Sequence, residues 1–326
     1  MNPRTQNNPE NFRSTSFPFT EKISVWLPTP ESEALMGGLP TGFRADVWTG
    51  EAEFPASADT VEVIIPPYGV GADLLSRFAE LPRLRLLQLE SAGVEWIRPY
   101  VPEGVVLCNA KGAYDRAVTE WVTGVVLAHL LRLPRFEQAR RDERWDYTHT
   151  DSLEGKRVLL VGYGSLGSAL APVLAGFGAE VAAVARRARP GVHGVDELPG
   201  LLPEADIVVL LLPLTEATTG LVDATFLSRI RDGGLLVNAG RGRLVDTDAL
   251  VAELRGGRLY AALDVTAPEP LPAGHPLWSA PGLILTPHTA GSNTSPPARA
   301  MALAKAQLAR YAAGEPLANV VGEAGY

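Results

Sequence analysis

Val158-Leu159-Leu160-Val161-Gly162-Tyr163-Gly164-Ser165-Leu166-Gly167 joins an apolar run of strand length to a Gly-x-Gly-x-x-Gly turn. The Ala- and Leu-rich stretch from Ser168 to Ala175 continues it with helical character. Gly162 permits the tight turn, Gly164 lets the backbone approach a pyrophosphate, and Gly167 lets helix and strand pack closely. The amides of Ser165 and Leu166 at the helix start then face the anion. Glycines also serve ordinary turns, but the strand before the motif and the helix after it are both readable here, which favours a dinucleotide site.

The same rhythm extends in both directions. Short apolar runs occur at Ile23–Leu27, Val61–Ile65, Leu84–Leu89 and Val105–Cys108. A second set occupies Val158–Val161, Val181–Ala185, Ile207–Leu212, Leu235–Asn238, Ala261–Val265 and Leu283–Thr286. Runs apolar on both faces suit buried parallel strands, and their alternation with helical stretches predicts a doubly wound α/β architecture. A long helical stretch separates the two sets. It opens near Ala113-Tyr114-Asp115 and passes through Glu120, Trp121 and His129, with Pro134 as the expected interruption. Pro296-Pro297 opens another helix, running to Ala313.

A chain of 326 residues suggests about two domains. The reading assigns 1–20, rich in Asn, Pro, Ser and Thr, to a disordered tail. It places 21–109 and 295–326 in one domain and 110–294 in the other, with a cleft between them as the expected binding site. Hydrophobic residues make up 46% and charged residues 20%, as in a soluble globular protein. The 37 acidic side chains against 29 basic ones give a net charge of −8, a poor footprint for nucleic acid or an anionic membrane. The apolar runs are far shorter than the ~20 residues of a spanning helix, and the N-terminus has no secretory apolar region. Cys108 is the single cysteine, which excludes an internal disulfide framework and suits a reducing, cytoplasmic compartment.

The strand Val181-Ala182-Ala183-Val184 ends in Ala185-Arg186-Arg187. An acid about 20 residues beyond the glycines would accept from the adenosine 2′-OH and repel a 2′-phosphate. Two guanidiniums attract that phosphate and can bind it bidentately, so NADP(H) is the expected cofactor, with NAD(H) possible.

Three further segments stand at the C-terminal ends of expected strands, where open α/β sheets bind ligands. They are Val237-Asn238-Ala239-Gly240-Arg241-Gly242, Leu263-Asp264-Val265-Thr266-Ala267-Pro268-Glu269-Pro270 and Leu285-Thr286-Pro287-His288-Thr289-Ala290-Gly291. Singly, Arg241 reads as an ion-pair partner, Glu269 as a turn carboxylate and His288 as a loop histidine. Jointly, at strand ends, they read as a catalytic set. With the glycine loop, Ser91-Ala92-Gly93-Val94-Glu95 and His275-Pro276-Leu277-Trp278, these motifs resemble the D-isomer-specific 2-hydroxyacid dehydrogenase family from about Val61 to Val320.

The resemblance implies two Rossmann-like domains, a flavodoxin-like substrate domain and an NAD(P)-binding domain, and commonly a homodimer. The apolar Trp121–Leu133 stretch fits the dimer. The family's catalytic Arg, Glu and His fall on Arg241, Glu269 and His288. Reducing a 2-keto acid needs a hydride on C2 and a proton on its oxygen. An imidazolium supplies the proton, a carboxylate orients the ring, and a guanidinium holds the substrate carboxylate. The amides of Ala92 and Gly93 resemble a second carboxylate clamp, borne on the other domain, so that domain closure would assemble the site. Cofactor contacts carry over to Leu212, Pro213, Thr218, Ala239, Gly240, Arg241, Asp264, His288, Ala290 and Gly291. Asp264 is a candidate carboxamide acceptor, with loop capping as its plain alternative.

Ala185 departs from the acid of NAD-dependent members, Thr266 stands where an aromatic is common, and Glu95 replaces an Asp. The expected activity is NADP(H)-preferring reduction of glyoxylate or hydroxypyruvate to the D-hydroxy acid, with no need of a metal. A phosphoglycerate dehydrogenase shares the motifs, although the chain ends soon after Asn319-Val320 without room for a regulatory domain. A formate dehydrogenase would carry Gln where Glu269 stands. A non-catalytic nucleotide-sensing scaffold, like the family's corepressors, is the alternative of a different class.

Overall fold

The structure, a computed structural model, describes residues 22–322. The tail expected over 1–20 lies outside the described residues. The chain divides into two compact units: one runs through Ala113 and resumes at Ser295, and the other is Tyr114–Thr294.

The first unit is built on five strands, β1 (Ile23–Leu27), β2 (Phe43–Val47), β3 (Val61–Ile64), β4 (Leu86–Gln88) and β5 (Val106–Cys108). All pairs are parallel and the order is β2-β1-β3-β4-β5, the flavodoxin-like order. Alternate residues feed two cores. Trp26, Val61, Ile64 and Leu87 join Trp48 and Phe78 on one face. Val25, Leu27, Val63, Leu86 and Cys108 join Met301, Ala304, Leu308 and Tyr311 of the Pro296–Ala313 helix on the other. The fully buried Trp26 donates its indole N–H to Ser57 Oγ at 2.8 Å, so no polar atom of the ring is stranded. The edge of β5 is covered: Val321 N–H donates to Leu107 C=O at 2.8 Å, and Asn109 N–H to Asn319 C=O at 3.2 Å.

Seven parallel strands form the second sheet: β6 (Arg157–Val161), β7 (Glu180–Ala185), β8 (His193–Gly194), β9 (Ile207–Leu210), β10 (Leu235–Asn238), β11 (Tyr260–Leu263) and β12 (Leu283–Leu285). Their order is β12-β11-β10-β9-β6-β7-β8, the dinucleotide-binding winding with one added strand. Both faces are covered, as the apolar runs require. Val158 and Leu160 of β6 lie in one core with Val122 and Val126 of the Asp115–Leu130 helix. Leu159 and Val161 lie in the other, with Val208, Leu210, Leu236 and Leu263. The doubly wound α/β class expected from the sequence is the one observed.

The structure corrects the reading in three places. β2 was not expected, because Phe43-Arg44-Ala45-Asp46-Val47 is an edge strand with polar residues on its open side. β8 has two residues, too few to show a pattern. The long helix ends at Leu130, before Pro134. Arg132 takes a left-handed conformation with φ of 54°, and Pro134 sits in the first turn of a new helix, Leu133–Arg141, where its missing N–H costs nothing. Among the described residues no helix is long and apolar enough to cross a membrane.

Burial pushes the Cys108 thiol up to about 12, against a weaker opposing pull from its hydrogen bond with Gln307. The reactive thiolate is therefore scarce at pH 8. A disulfide reagent should modify Cys108 on the order of 10²–10³-fold more slowly in native protein than in urea. Equal rates in stopped assays would show that this core opens freely.

Candidate active site

The glycine loop follows β6 at the point where the sheet reverses its winding, between β7 and β9. Gly162 has φ of 109°, and a Cβ there would stand 2.8 Å from the Leu211 carbonyl oxygen. A Cβ on Gly167 would stand 2.6 Å from the Gly162 carbonyl oxygen, so helix and strand touch through bare backbone. Gly164 is the contrast: it is exposed, and a Cβ would meet nothing within 4 Å. Two glycines are thus spent on packing and one keeps open space at the N-terminus of the Ser165–Gly176 helix, whose first amides have no intrahelical partner. That cradle fits a pyrophosphate, so the residues present are compatible with a dinucleotide.

Ala185 closes β7, and Arg186 and Arg187 follow it as exposed side chains. A residue missed in the sequence lies beside them. Arg189 Nη2 donates to the Tyr163 carbonyl at 2.6 Å, and its guanidinium sits 5.6 Å from the centre of the Tyr163 ring. The basic segment is thereby tied to the glycine loop. The spacing Arg186-Arg187-Ala188-Arg189 holds the signal for the third cation.

Leu212 and Pro213 follow β9. Thr218 folds the turn behind them: its hydroxyl donates to Pro213 C=O at 2.7 Å and accepts from the Thr215 N–H at 2.8 Å. Ala239 and Gly240 pack against this turn, since a Cβ on Gly240 would lie 2.9 Å from the Leu212 carbonyl oxygen. Asn238, fully buried at the end of β10, shapes the next loop. Its Oδ1 accepts from Gly240 N–H at 3.0 Å, and its Nδ2 donates to Arg241 C=O at 2.9 Å. Half-buried Arg241 donates from Nη1 to Gly240 C=O at 2.7 Å. Beyond it, a Cβ on Gly242 would overlap the Thr266 carbonyl oxygen at 1.9 Å. The loop carrying Arg241 and the loop leading to Glu269 therefore meet backbone to backbone.

Asp264, 3% exposed, ends β11 and organises the histidine loop. Its Oδ1 accepts from Thr286 Oγ1 at 2.6 Å and from Thr289 N–H at 2.8 Å; its Oδ2 accepts from Ala290 N–H at 2.9 Å. The His288 N–H donates to the Asp264 backbone carbonyl at 2.8 Å. His288 itself holds φ at 55°, a left-handed conformation costly for a residue with a Cβ, and one that its two neighbours' bonds to Asp264 enforce. In that pose its Nδ1 is hydrogen-bonded to Glu269 Oε1, and both side chains stay partly exposed. Asp264 is thus engaged as a loop cap. Ala290 is buried, and Gly291 approaches the Tyr114 ring, 3.0 Å from an added Cβ.

Ala92 and Gly93 belong to the first unit, in the turn after β4. Asn109 Nδ2 donates to Ala92 C=O at 2.8 Å and Ser91 Oγ to Gly93 C=O at 2.7 Å, which fixes the turn. Two of the remaining histidines have local roles: His275 Nδ1 accepts from Leu277 N–H at 3.2 Å, and His129 packs on Tyr260 with centroids 4.6 Å apart.

Residues 123–290 match the model of the D-isomer specific 2-hydroxyacid dehydrogenase NAD binding domain. A glyoxylate reductase from Thermofilum pendens is 32% identical over 72% of this chain and 74% of its own. A D-isomer specific 2-hydroxyacid dehydrogenase from Xanthobacter autotrophicus Py2, solved with NADPH and MES, is 32% identical with a TM-score of 0.80, covering 93% of this chain and 98% of that one. An NADPH-dependent glyoxylate/hydroxypyruvate reductase from Sinorhizobium meliloti, solved with NADP and sulfate, is 28% identical with a TM-score of 0.81, covering 94% and 100%. The chain belongs to the D-isomer specific 2-hydroxyacid dehydrogenase family. It is accordingly an oxidoreductase carrying an NAD-binding domain.

The contact at Gly242 gives a direct test. Gly242→Ala forces the two loops apart or unfolds them, and should lower stability by about 2 kcal/mol or more. Thermal melting should fall by several degrees, with turnover lost; an unchanged melt would refute the close approach.

Proposed function

We propose that this protein reduces a small 2-keto acid, of the glyoxylate or hydroxypyruvate type, to the D-2-hydroxy acid with a preference for NADPH. The observation that carries the reading is the hydrogen bond of His288 Nδ1 to Glu269, between the loops that follow neighbouring strands β12 and β11. A ring held by one nitrogen presents the other, Nε2, to a ligand. When bound, the cofactor supplies the hydride that ends on C2 of the acid. His288, as imidazolium, gives its Nε2 proton to the C2 oxygen, so the former carbonyl becomes a hydroxyl and the ring becomes neutral. Its side chain is 47% exposed, which lets solvent return the proton. Glu269 fixes the ring's orientation and tautomer. Arg241 holds the substrate carboxylate and draws charge toward the C2 oxygen, worth most where water is displaced.

Ala185, Arg186 and Arg187 support the cofactor preference: the acid that would repel a 2′-phosphate is replaced, and two free-standing cations follow. The NADPH and NADP named with the two solved relatives agree with it. The same reading assigns ligand contacts to Gly162, Gly164 and Gly167, and takes the active form as a cytoplasmic homodimer. Exposed Leu131 and Leu133, 39% and 50% accessible, supply apolar surface for a second copy.

A panel of 2-keto acids assayed with each cofactor tests the proposal. Glyoxylate or hydroxypyruvate should be reduced at least ~10-fold more efficiently with NADPH, the difference of about one charge-assisted phosphate contact; equal kcat/KM removes the preference. His288→Ala should lower kcat by ~10²–10⁴ while NADPH binding, followed by fluorescence, persists. Near-normal turnover would sink the proton-donor assignment. A monomeric mass in light scattering would reject the dimer.

A further inference from the structure

Trp121 stands in the second turn of the Asp115–Leu130 helix, far in sequence from the histidine loop. Its indole Nε1 reaches Thr286 Oγ1 at 3.0 Å. An indole N–H can donate but never accept, so the Thr286 hydroxyl must take this bond on a lone pair. Its own proton is then committed to Asp264 Oδ1, 2.6 Å away. Asp264 in turn holds the amides of Thr289 and Ala290, which flank His288 on its C-terminal side. The donor is fixed at every link: the indole donates to the hydroxyl, the hydroxyl donates to the carboxylate, and the two amides donate to that same carboxylate.

We propose that Trp121 is a positioning residue for His288, acting through Thr286 and Asp264. The inference rests on the reading of His288 as proton donor and extends it to a residue on a separate helix. Without the indole, the Thr286 hydroxyl is free to rotate and can turn its proton away from Asp264. The carboxylate then loses its shortest donor, and the loop that keeps His288 at φ of 55° loses a tether. A left-handed histidine relaxes readily once released, because that conformation is disfavoured for a residue with a Cβ. The imidazole would swing off Glu269 for part of the time, and turnover would fall without loss of ligand affinity.

The test uses the full chain. Trp121→Phe keeps an aromatic body in the half-buried site and removes the donor. Thr286→Val removes the hydroxyl at similar volume, and Thr286→Ser restores it. Trp121→Phe should lower kcat about 10-fold, the scale of a small misplacement of a reacting group, with KM for keto acid and cofactor within about twofold. Thr286→Ser should retain kcat. The double variant Trp121→Phe/Thr286→Val should be no slower than Thr286→Val alone, because both changes cut one chain.

Amide hydrogen exchange in the protein without cofactor gives a readout independent of turnover: Thr289 and Ala290 should exchange about 10-fold faster in Trp121→Phe. Unchanged exchange, or kinetic losses that simply multiply, would overturn the relay. Faster exchange with undiminished kcat would overturn its role in positioning. If wild-type protein reduced no 2-keto acid while the exchange responded as expected, the failure would lie with the reductase reading and not with the relay.

Discussion

A parallel sheet covered on both faces has no water within reach of its strands. In the second unit every residue of β9 and β10 is buried, from Ile207 to Leu210 and from Leu235 to Asn238. Polar chemistry is expelled to the strand ends, and polar groups that remain below the surface must find partners. Asn238 and Asp264 are two such groups, and both resolve the demand in the same way. Each uses its side chain to bind the backbone of the loop that follows or lies beside it. The need to satisfy a buried amide and a buried carboxylate is what shapes the loops bearing Arg241 and His288.

The segments bearing Arg241, Glu269 and His288 follow β10, β11 and β12, which are neighbours in the sheet. Strands lie ~4.8 Å apart, so residues a few positions beyond their ends converge without a long excursion. Gly242 tightens this arrangement by letting one loop rest on the carbonyl of another. Glu269 and His288 are separated by 19 residues, yet their side chains meet, with the histidine loop held by Asp264.

Much of this was legible in the sequence for a physical reason. Central parallel strands must be apolar on both faces, so the runs at Val158, Ile207 and Leu235 announced themselves. An edge strand has no such obligation, and Phe43–Val47 carries Arg44 and Asp46. Pro134 was read as a breaker, but a proline is equally at home in a first helical turn; the break came from the left-handed Arg132, which carries no composition signal. The residues proposed as catalytic are readable as candidates because Arg, Glu and His stand at strand ends beside glycines. The links among them were not. The bond from Trp121 to Thr286 spans 165 residues, and no spacing rule connects a helix position to a loop hydroxyl at that distance. The same holds for Asp264, whose three donors are decided by how a turn folds in space.

Arg189 joins two features that sequence motifs treat as separate modules, since its guanidinium is fastened to the Tyr163 carbonyl between the first two glycines. A charge at that place is therefore structural as well as electrostatic. An acid introduced at position 185 would leave this anchored cation where it is. Any change after β7 that displaces Arg189 also removes a bond to the glycine turn, so the two segments are mechanically coupled.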